Sequence, residues 1–376
     1  MRRLVSATAL LMALAAAPAL AANATPPVPA AKPAPAAKST PAAKPAPAPK
    51  PAEPAPAAQA TPPDNAKPSA AAAIAATKAS KLKPPGCKPE DIPDTSPDAA
   101  YVAYEEGCYV RARELAEAGA AKGNGPANTL LGQIYEQGLG APLDMKIASD
   151  YYAKGAAAGD SHAQFALGVM LVEGRGFKED KKRAAQFFEL AAAKNHPIAL
   201  YNLALIYVEG DARPQDFGKA AELMKRAAEL DHAPAQYDLA AFYKIGRGVP
   251  KDETQSTFWM CKAAEAGLTN AELECGIAYY LGKGIHKSEA IGYQLIRRSA
   301  EKGNPVAQNR MAHALAAGRG TAQNTVEAAK WHLLSRQAGV SDFALDRFLA
   351  TLSSEDRSKA DQSAATWEQS TAALLQ

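Results

Sequence analysis

The sequence repeats itself with a period of 36 residues. Six segments follow one another without an insertion, and each opens with an alanine: Ala127, Ala163, Ala199, Ala235, Ala271 and Ala307. The segments share spaced apolar residues, then glycines, then a polar residue, as in AQFALGVMLVEGRGFKED and AQYDLAAFYKIGRGVPKD. A fixed period of this length is typical of arrays in which each repeat packs only on its neighbours. We therefore predict an all-α fold, an α-solenoid of helix-turn-helix repeats.

Each repeat reads as two helices. In the first, large apolar residues at the fifth and ninth positions share one helical face, as Leu203 and Tyr207 do. The sixth position is always glycine or alanine, so a neighbouring helix can approach closely. The second helix carries a pair of large residues, such as Phe187 and Phe188, followed by small ones. Large side chains facing small ones are how antiparallel helices interlock.

The loop between the two helices has a recurring pattern, for example GRGVPKD at residues 246–252. Glycine at the twelfth repeat position is expected to end the first helix with positive φ, and Asp, Ser or Asn at the eighteenth to cap the second. A Gly-rich loop with a lysine can also cradle phosphate, but only Lys251 and Lys287 are lysines among the six residues in that slot, and no strand precedes the loop. We interpret the loop as a connector.

The pattern A-x-x-x-L-G-x-x-Y-x-x-G-x-G-x-x-x-D, followed by an aromatic pair and two alanines, resembles the Sel-one-like repeat (SLR) family, a relative of the tetratricopeptide repeat. The clearest matches are residues 127–159, 163–195 and 235–267. The resemblance implies a right-handed superhelical solenoid that binds proteins or peptides, often as an adaptor, and that has no single catalytic motif. Secreted bacterial members work in the cell envelope, so we expect a non-catalytic envelope scaffold.

The residues outside the repeats fall into separate segments. Residues 1–21 have a basic start, an apolar run and an A-x-A end, which predicts a signal peptide and a periplasmic protein; an uncleaved N-terminal anchor is the alternative. Residues 22–86 are rich in proline, alanine and lysine, which predicts a disordered, extended linker. Residues 87–126 read as a shortened N-terminal repeat, 127–342 as the six repeats, and 343–376 as C-terminal capping helices.

Charge separates the linker from the rest of the chain. Residues 22–83 carry eight lysines against Glu53 and Asp64, whereas the residues that follow are mildly acidic. A mildly acidic folded part argues against nucleic-acid binding. The lysines either keep the linker soluble and extended or hold it near an anionic cell wall, and both alternatives stay open.

Four cysteines in an exported chain predict disulfides. Of the three possible pairings, we favour the nearest-neighbour one, which joins Cys87 to Cys108 and Cys261 to Cys275. A metal site is unsupported, because the sequence has no C-x-x-C motif and no matching histidine spacing. Cysteine-rich secreted members of the Sel-one-like family join neighbouring helices with disulfides, which implies the same for Cys261 and Cys275; two buried thiols are the alternative.

No catalytic motif in the sequence is complete. Ser299 and Lys302 form an S-x-x-K motif, as in penicillin-recognising enzymes, but the partner motifs are missing and other repeats have alanine in the slot of Ser299. His196 and His232 share one loop position in successive repeats, and we interpret them as exposed turn histidines rather than metal ligands. We predict no enzyme activity, no cofactor and no metal site. A cell-wall binding module and a β-lactam-recognising enzyme are the alternative functions.

A binding surface is predicted on the first helices. By analogy with tetratricopeptide-like solenoids, repeat positions three, seven, ten and eleven point into a concave groove. Aromatic and aliphatic side chains edged by charges suit a peptide or helix from a protein partner. We expect the protein to bind this partner as a monomer. The candidate groove residues are Phe165, Val169, Glu173, Tyr201, Leu205, Glu209, Tyr237, Lys244 and Tyr280. The alternative is that position three packs between repeats.

Overall fold

The computed structural model describes residues 98–374, with side chains as far as Thr371. The predicted signal peptide at 1–21, the predicted linker at 22–86 and Cys87 lie outside the described residues. Within the described part the chain forms sixteen α-helices and no β-strand. The predicted all-α, solenoid-like fold is confirmed for these residues.

The helices are numbered in chain order. They are α1 (Ala99–Glu105), α2 (Tyr109–Ala120), α3 (Gly125–Gln137), α4 (Met145–Ala157), α5 (Ser161–Glu173), α6 (Lys181–Ala193), α7 (Pro197–Glu209), α8 (Phe217–Glu229), α9 (Ala233–Ile245), α10 (Glu253–Glu265), α11 (Thr269–Leu281), α12 (Glu289–Glu301), α13 (Pro305–Ala317), α14 (Thr325–Gln337), α15 (Phe343–Thr351) and α16 (Ser354–Leu374). The six repeats are the hairpins from α3–α4 to α13–α14, and each hairpin consists of a first and a second helix of 13 residues.

The loop at residues 246–252 is a helix connector, as predicted. Gly246 has a φ of 76°, and its N–H donates to the carbonyl of Phe242, which ends α9. The carboxylate of Asp252 accepts a hydrogen bond of 2.9 Å from the N–H of Gln255 and so caps α10. A left-handed glycine and a polar N-cap thus turn the chain between the two helices of the repeat.

The second glycine of this loop has a role that the repeat pattern alone does not reveal. Gly248 has a φ of 69°, and a Cβ at this position would lie 2.0 Å from the carbonyl oxygen of Phe217. Phe217 begins the second helix of the preceding repeat. Glycine is therefore required here because one repeat packs closely on the next.

The predicted interlock of large and small residues occurs within the repeats. A Cβ on Gly168 would lie 2.4 Å from Cε1 of Phe188, which is only 1% exposed. Gly132 and Tyr152 have the same relationship, at 2.6 Å, in the first repeat. The ring on the second helix therefore fills the space that the small residue leaves on the first.

The C-terminal helix α16 covers the last repeat. Its residues Ala360 and Ala364 are buried, and Trp367 packs edge-to-face on Trp331 of α14 with 5.7 Å between ring centroids. The hydroxyl of Ser353 accepts a hydrogen bond of 3.0 Å from the backbone of Asp356 at the start of the helix. None of the helices in residues 98–374 is long and apolar enough to cross a lipid bilayer.

Candidate interaction surface

The third position of the first helix forms a joint between repeats. In three repeats its side chain contacts the N-cap residue of the next first helix. The pairs are Thr129 with Asp160 (hydrogen bond, 2.8 Å), Phe165 with His196 (stacked rings, 4.8 Å between centroids) and Tyr201 with His232 (tilted rings, 4.9 Å). Each of these N-cap side chains also accepts a backbone N–H of its own helix. In these copies position three therefore packs between repeats.

Tyr201 makes a second contact across the same boundary. Its hydroxyl donates a hydrogen bond of 2.8 Å to Oδ2 of Asp238, which is 1% exposed. Burial raises the pKa of Asp238 to about 6, although the hydrogen bond from Tyr201 opposes the shift. Burial likewise raises the pKa of Tyr237 to about 12. The aromatic residues of the predicted groove, Phe165, Tyr201 and Tyr237, are half-buried and so present only part of their surface to solvent.

The other predicted groove residues differ in exposure. Leu205 is buried, Val169 and Tyr280 are half-buried, and Glu173, Glu209 and Lys244 are exposed. Lys244 forms a salt bridge of 3.2 Å with Glu274 of the next repeat. The hydroxyl of Tyr280 donates to the backbone carbonyl of Arg319, whose guanidinium lies over the tyrosine ring. Tyr280 and Lys244 therefore join repeats while parts of them remain accessible.

Two exposed apolar residues on this surface were not among the predicted groove residues. Ile245 and Leu281, at the eleventh position of successive repeats, are each 54% exposed. They occupy the same repeat position as the predicted groove residues Glu173 and Glu209, and this shared position could have identified them from the sequence. We name the seventh, tenth and eleventh positions of α5, α7, α9 and α11 the first-helix face. It consists of Val169, Val172, Glu173, Leu205, Val208, Glu209, Ala241, Lys244, Ile245, Ile277, Tyr280 and Leu281.

The N-terminal half of the first-helix face carries more negative than positive charge. Two clusters each place one cation between two carboxylates: Glu136–Arg175–Glu173 and Glu209–Lys181–Asp211. The carboxylate of Glu209 is only partly desolvated, and this partial burial raises its pKa, with Lys181 lowering it and Asp211 raising it.

His196 connects α5 and α7 through its two ring nitrogens. Its Nε2 lies 3.2 Å from Nδ1 of His162, and its Nδ1 accepts the N–H of Ala199. His196 is 6% exposed, and burial together with His162 lowers its pKa to about 4. The expectation that His196 is an exposed turn histidine is therefore wrong, because the ring is a buried N-cap. Within residues 98–371, no group of three His, Cys, Asp or Glu side chains could hold a metal ion.

A family comparison agrees with the repeat architecture. The Sel1 repeat model matches six consecutive segments, at residues 125–160, 161–196, 197–232, 233–268, 269–304 and 305–340. The chain belongs to the Sel1 repeat family. These segments start two residues before Ala127 and its equivalents, a difference of starting point within a continuous repeat. Proteins built from Sel1 repeats are generally non-catalytic protein-interaction scaffolds.

The chain is also similar to solved structures of Sel1 repeat proteins. A Sel1 repeat protein from Oxalobacter formigenes is 28% identical, with 64% of this chain and 99% of that chain covered and a TM-score of 0.56. The protective antigen c5321 of uropathogenic Escherichia coli strains, which displays an SLR fold, is 25% identical, with 74% of this chain and 69% of that chain covered and a TM-score of 0.47. No curated protein matches the chain in sequence.

The S-x-x-K motif lies inside the fifth Sel1 repeat. Ser299 is 0% exposed, and its hydroxyl donates a hydrogen bond of 2.8 Å to the carbonyl of Thr269. The ammonium of Lys302 donates to the carbonyl of Gly267 and to the carboxylate of Glu272, both at 2.9 Å. A buried hydroxyl bound to the backbone is not placed to attack a β-lactam, so Ser299 gives the enzymatic alternative no support.

A disulfide joins two neighbouring Sel1 repeats. Cys261 in α10 is bonded to Cys275 in α11, with 5.1 Å between their Cα atoms. This bond is one half of the nearest-neighbour pairing. Cys108 is also disulfide-bonded, and its predicted partner Cys87 lies outside the described residues. The bond from Cys261 to Cys275 fixes the second helix of the fourth repeat to the first helix of the fifth.

A crevice of about 670 Å³ lies near the C-terminal end of the Sel1 array. Its walls come from α12, α13, α14 and α16 and include Tyr293, Met311, Leu315, Trp331 and Trp367. Its charged side chains bind one another, Arg297 with Glu301 at 2.7 Å and Lys330 with Glu327 at 2.9 Å. The charges that line this crevice therefore already have partners.

Proposed function

We propose that the protein is a non-catalytic scaffold of the bacterial cell envelope that binds a protein or peptide partner on its first-helix face. The observation that carries this proposal is the exposure of Ile245 and Leu281, each 54%, at equivalent positions of consecutive repeats. Single exposed apolar residues are common, whereas exposed apolar residues that recur at one position of neighbouring repeats lie on the same side of the array, and apolar patches mark interaction sites. The general role of Sel1 repeats as interaction scaffolds supports the same class of function.

The architecture suits a partner that is recognised along its length. Each repeat contributes side chains from equivalent positions to the first-helix face, so the surface grows by one increment per repeat. We expect a right-handed superhelix with this face on its concave side, acting as a monomer. Export to the periplasm and a Pro/Ala/Lys-rich spacer ahead of the repeats belong to the same proposal, and they rest on the sequence of residues 1–86.

Photo-crosslinking in intact cells tests the proposed surface. A photoreactive amino acid replaces Val172 or Val208 on the first-helix face in one set of variants. In the control set it replaces Gln186 or Glu222, which are exposed on the second helices α6 and α8. Mass spectrometry is expected to identify envelope proteins crosslinked to the first set and not to the control set. Equal crosslinking from both sets would contradict the proposal.

A further inference from the structure

The two exposed aliphatic residues of the first-helix face are each followed by a cation. Arg247 comes two residues after Ile245, and Lys283 two residues after Leu281, with only the helix-ending glycine between them. Building on the proposed function, we infer that the partner is an acidic peptide segment. Its apolar side chains cover Ile245 and Leu281, and its carboxylates bind the adjacent cations, Arg247 first among them.

Arg247 is held in place without a carboxylate partner. Its backbone N–H donates a hydrogen bond of 3.0 Å to the carbonyl of Phe242, and its guanidinium lies over the ring of Phe217, 4.8 Å from the centroid. No carboxylate within residues 98–371 forms a salt bridge with it. A guanidinium offers pairs of parallel N–H donors that match the two oxygens of a carboxylate. The half-buried side chain of Arg247 is therefore positioned to receive a carboxylate from outside the chain.

Two other arginines occupy the same repeat position, the thirteenth, and both bind carboxylates of this chain. Arg175 in the second repeat forms salt bridges with Glu136 and Glu173. Arg319 in the sixth repeat forms a salt bridge of 2.8 Å with Glu289. An arginine at this position is therefore within reach of carboxylates from its own repeat and from the preceding one.

Apolar residues replace all three of these carboxylates around Arg247. The positions equivalent to the three glutamates, counted within their repeats, hold Val208, Ile245 and Phe217. Val208 and Ile245 belong to the first-helix face, and Phe217 provides the ring under the guanidinium. The fourth repeat thus combines a cation that lacks its usual partner with an exposed aliphatic side chain.

Lysines lie beside the same two aliphatic residues. A Cβ on the glycine that follows Ile245 would lie 3.2 Å from Cβ of Lys251, and a Cβ on the glycine that follows Leu281 would lie 3.0 Å from Cβ of Lys287. The ammonium groups of Lys251 and Lys283 form no salt bridge within residues 98–371. Each aliphatic side chain is therefore bordered by two cations, one before and one after the turn of the loop.

The cations outnumber the carboxylates around both aliphatic residues. Residues 244–253 contain three cations and two carboxylates, and residues 280–289 contain two cations and one carboxylate, so each segment has a formal charge of +1. The same segment of the third repeat, residues 208–217, contains one cation and three carboxylates. A broad anionic surface such as a lipid bilayer would meet this negative segment as well, and like charges repel. A short acidic peptide on the fourth and fifth repeats avoids it.

Two labelled peptides and the full chain test this inference by fluorescence polarisation. LEELEELEEL carries carboxylates between leucines, and LQQLQQLQQL is its uncharged counterpart. Their leucines share one side of the peptide in a helix and recur about every 10 Å in an extended chain, so neither conformation is presupposed. We expect the wild-type protein to bind the glutamate peptide at least about tenfold more tightly than the glutamine peptide.

The variants separate the charged from the apolar contribution. Arg247→Gln is expected to reduce the preference for the glutamate peptide to about threefold or less, and Arg247→Lys to keep part of it, because lysine retains the charge without the paired donors. Serine at both Ile245 and Leu281 is expected to weaken both peptides about tenfold and to leave the preference unchanged.

Matched controls keep the test independent of folding and of the basic residues 22–83, which every variant retains. Arg183→Gln removes another arginine that lies over a ring, that of Phe177, and it is expected to leave the preference unchanged. Serine at both Leu190 and Leu230, which are exposed on or beside second helices, is the control for the apolar pair. Circular dichroism reports whether each variant is folded.

If Arg247→Gln does not fold, the double variant Lys251→Gln, Lys283→Gln takes its place and is expected to reduce the preference in the same direction. The inference is overturned if the glutamate peptide shows no saturable binding up to about 1 mM, if the wild type binds both peptides alike, or if the folded glutamine variants keep the full preference.

Vesicles of phosphatidylglycerol distinguish a peptide from a lipid surface. Vesicle binding that is lost in Arg247→Gln, together with no binding of the glutamate peptide, would assign these residues to a lipid surface and overturn the inference. Failure of the proposed function is a separate outcome. Crosslinking of envelope proteins at Val172 or Val208, together with equal binding of the two peptides, would leave the scaffold function standing and refute the acidic partner.

Discussion

The hydroxyl of Tyr201 donates a hydrogen bond of 2.8 Å to the carboxyl group of Asp238, one repeat further along the array. Asp238 is 1% exposed, and burial raises its pKa to about 6. An aspartate in an unfolded chain has a pKa near 3.9. Folding therefore favours the protonated carboxyl group. The contribution of Asp238 to the free energy of unfolding is complete below about pH 3.9 and is lost as the pH rises through about 6.

Replacing Asp238 by asparagine removes this loss, because the amide has no charge to bury. We expect Asp238→Asn to raise the free energy of unfolding by about 2–3 kcal/mol at neutral pH and to change it little at pH 4. Asn202 occupies the same position one repeat earlier, so the site accommodates an amide. Urea unfolding between pH 4 and 8 measures the difference. A variant that keeps the slope of the wild type would contradict the raised pKa of Asp238.

His196 gives a pH dependence of the opposite sign. Its pKa is lowered to about 4, mainly by burial and then by His162, with Asp160 opposing the shift and His232 adding to it. An unfolded histidine has a pKa near 6.5, so its contribution to stability is complete above that pH and is lost as the pH falls through about 4. In the wild type, His196 and Asp238 therefore change the free energy of unfolding in opposite directions between pH 4 and 6, and the two changes partly cancel.

The variant His196→Asn separates the contributions of His196 and Asp238 to the pH dependence of the free energy of unfolding. Asparagine keeps an acceptor for the N-cap hydrogen bond but takes up no proton in this range. When the pH is lowered from 7 to 4, we expect the free energy of unfolding to fall by about 3 kcal/mol less in the variant than in the wild type. His286→Asn, at an exposed loop histidine, is the matched control and is expected to follow the wild type. If both variants behaved alike in urea unfolding, His196 would not be the titrating group.

The fold could be predicted because its determinants recur within the sequence itself. Helix-ending glycines, N-caps and pairs of small and large residues each lie within a single repeat. Each of them therefore recurs in the six repeats. The joint between repeats is less visible, although it follows a rule: Thr129 with Asp160, Phe165 with His196 and Tyr201 with His232 are each 31 residues apart. The side chains at repeat positions three and thirty-four are complementary in these three pairs. A comparison of the two positions in the sequence would therefore have favoured packing between repeats over a groove.

Other features depend on tertiary structure and could not be predicted in the same way. The burial of His196 results from neighbouring repeats, because the ring lies against both His162 and Phe165. The sharing of Arg175 and Lys181 between carboxylates also crosses repeat boundaries. Such contacts vary from one repeat to the next, so the family pattern does not contain them.

The pairing of Gly168 with Phe188 predicts an unusual sign for a glycine substitution. Alanine in place of glycine within a helix normally stabilises by about 0.5–1 kcal/mol. At position 168 a Cβ would lie 2.4 Å from the ring of Phe188, so we expect Gly168→Ala to destabilise by about 1–3 kcal/mol. Thermal or urea unfolding measures the change. The control Gly218→Ala, on the exposed side of α8, is expected to stabilise.

The same pair provides a rescue experiment. Two of the three repeats with alanine at the sixth position carry methionine where Phe188 stands, Ala204 with Met224 and Ala240 with Met260, whereas Ala312 is followed by His332. A flexible methionine can make room for a methyl group where a ring cannot. We therefore expect Phe188→Met to be less harmful in combination with Gly168→Ala than alone. Additive effects of the two substitutions would show that the ring does not select glycine.

The disulfide between Cys261 and Cys275 is expected to stabilise the array locally. It closes a loop with a sequence separation of 14 residues, and a loop of that size is associated with about 3 kcal/mol of stabilisation. In a repeat array each unit contacts only its neighbours, so the loss is expected to stay near the fourth and fifth repeats. Hydrogen exchange of the double variant Cys261→Ala, Cys275→Ala should show faster exchange in α9 to α12 and little change in α3 to α6. Equal acceleration along the whole array would mean that the repeats unfold as one cooperative unit.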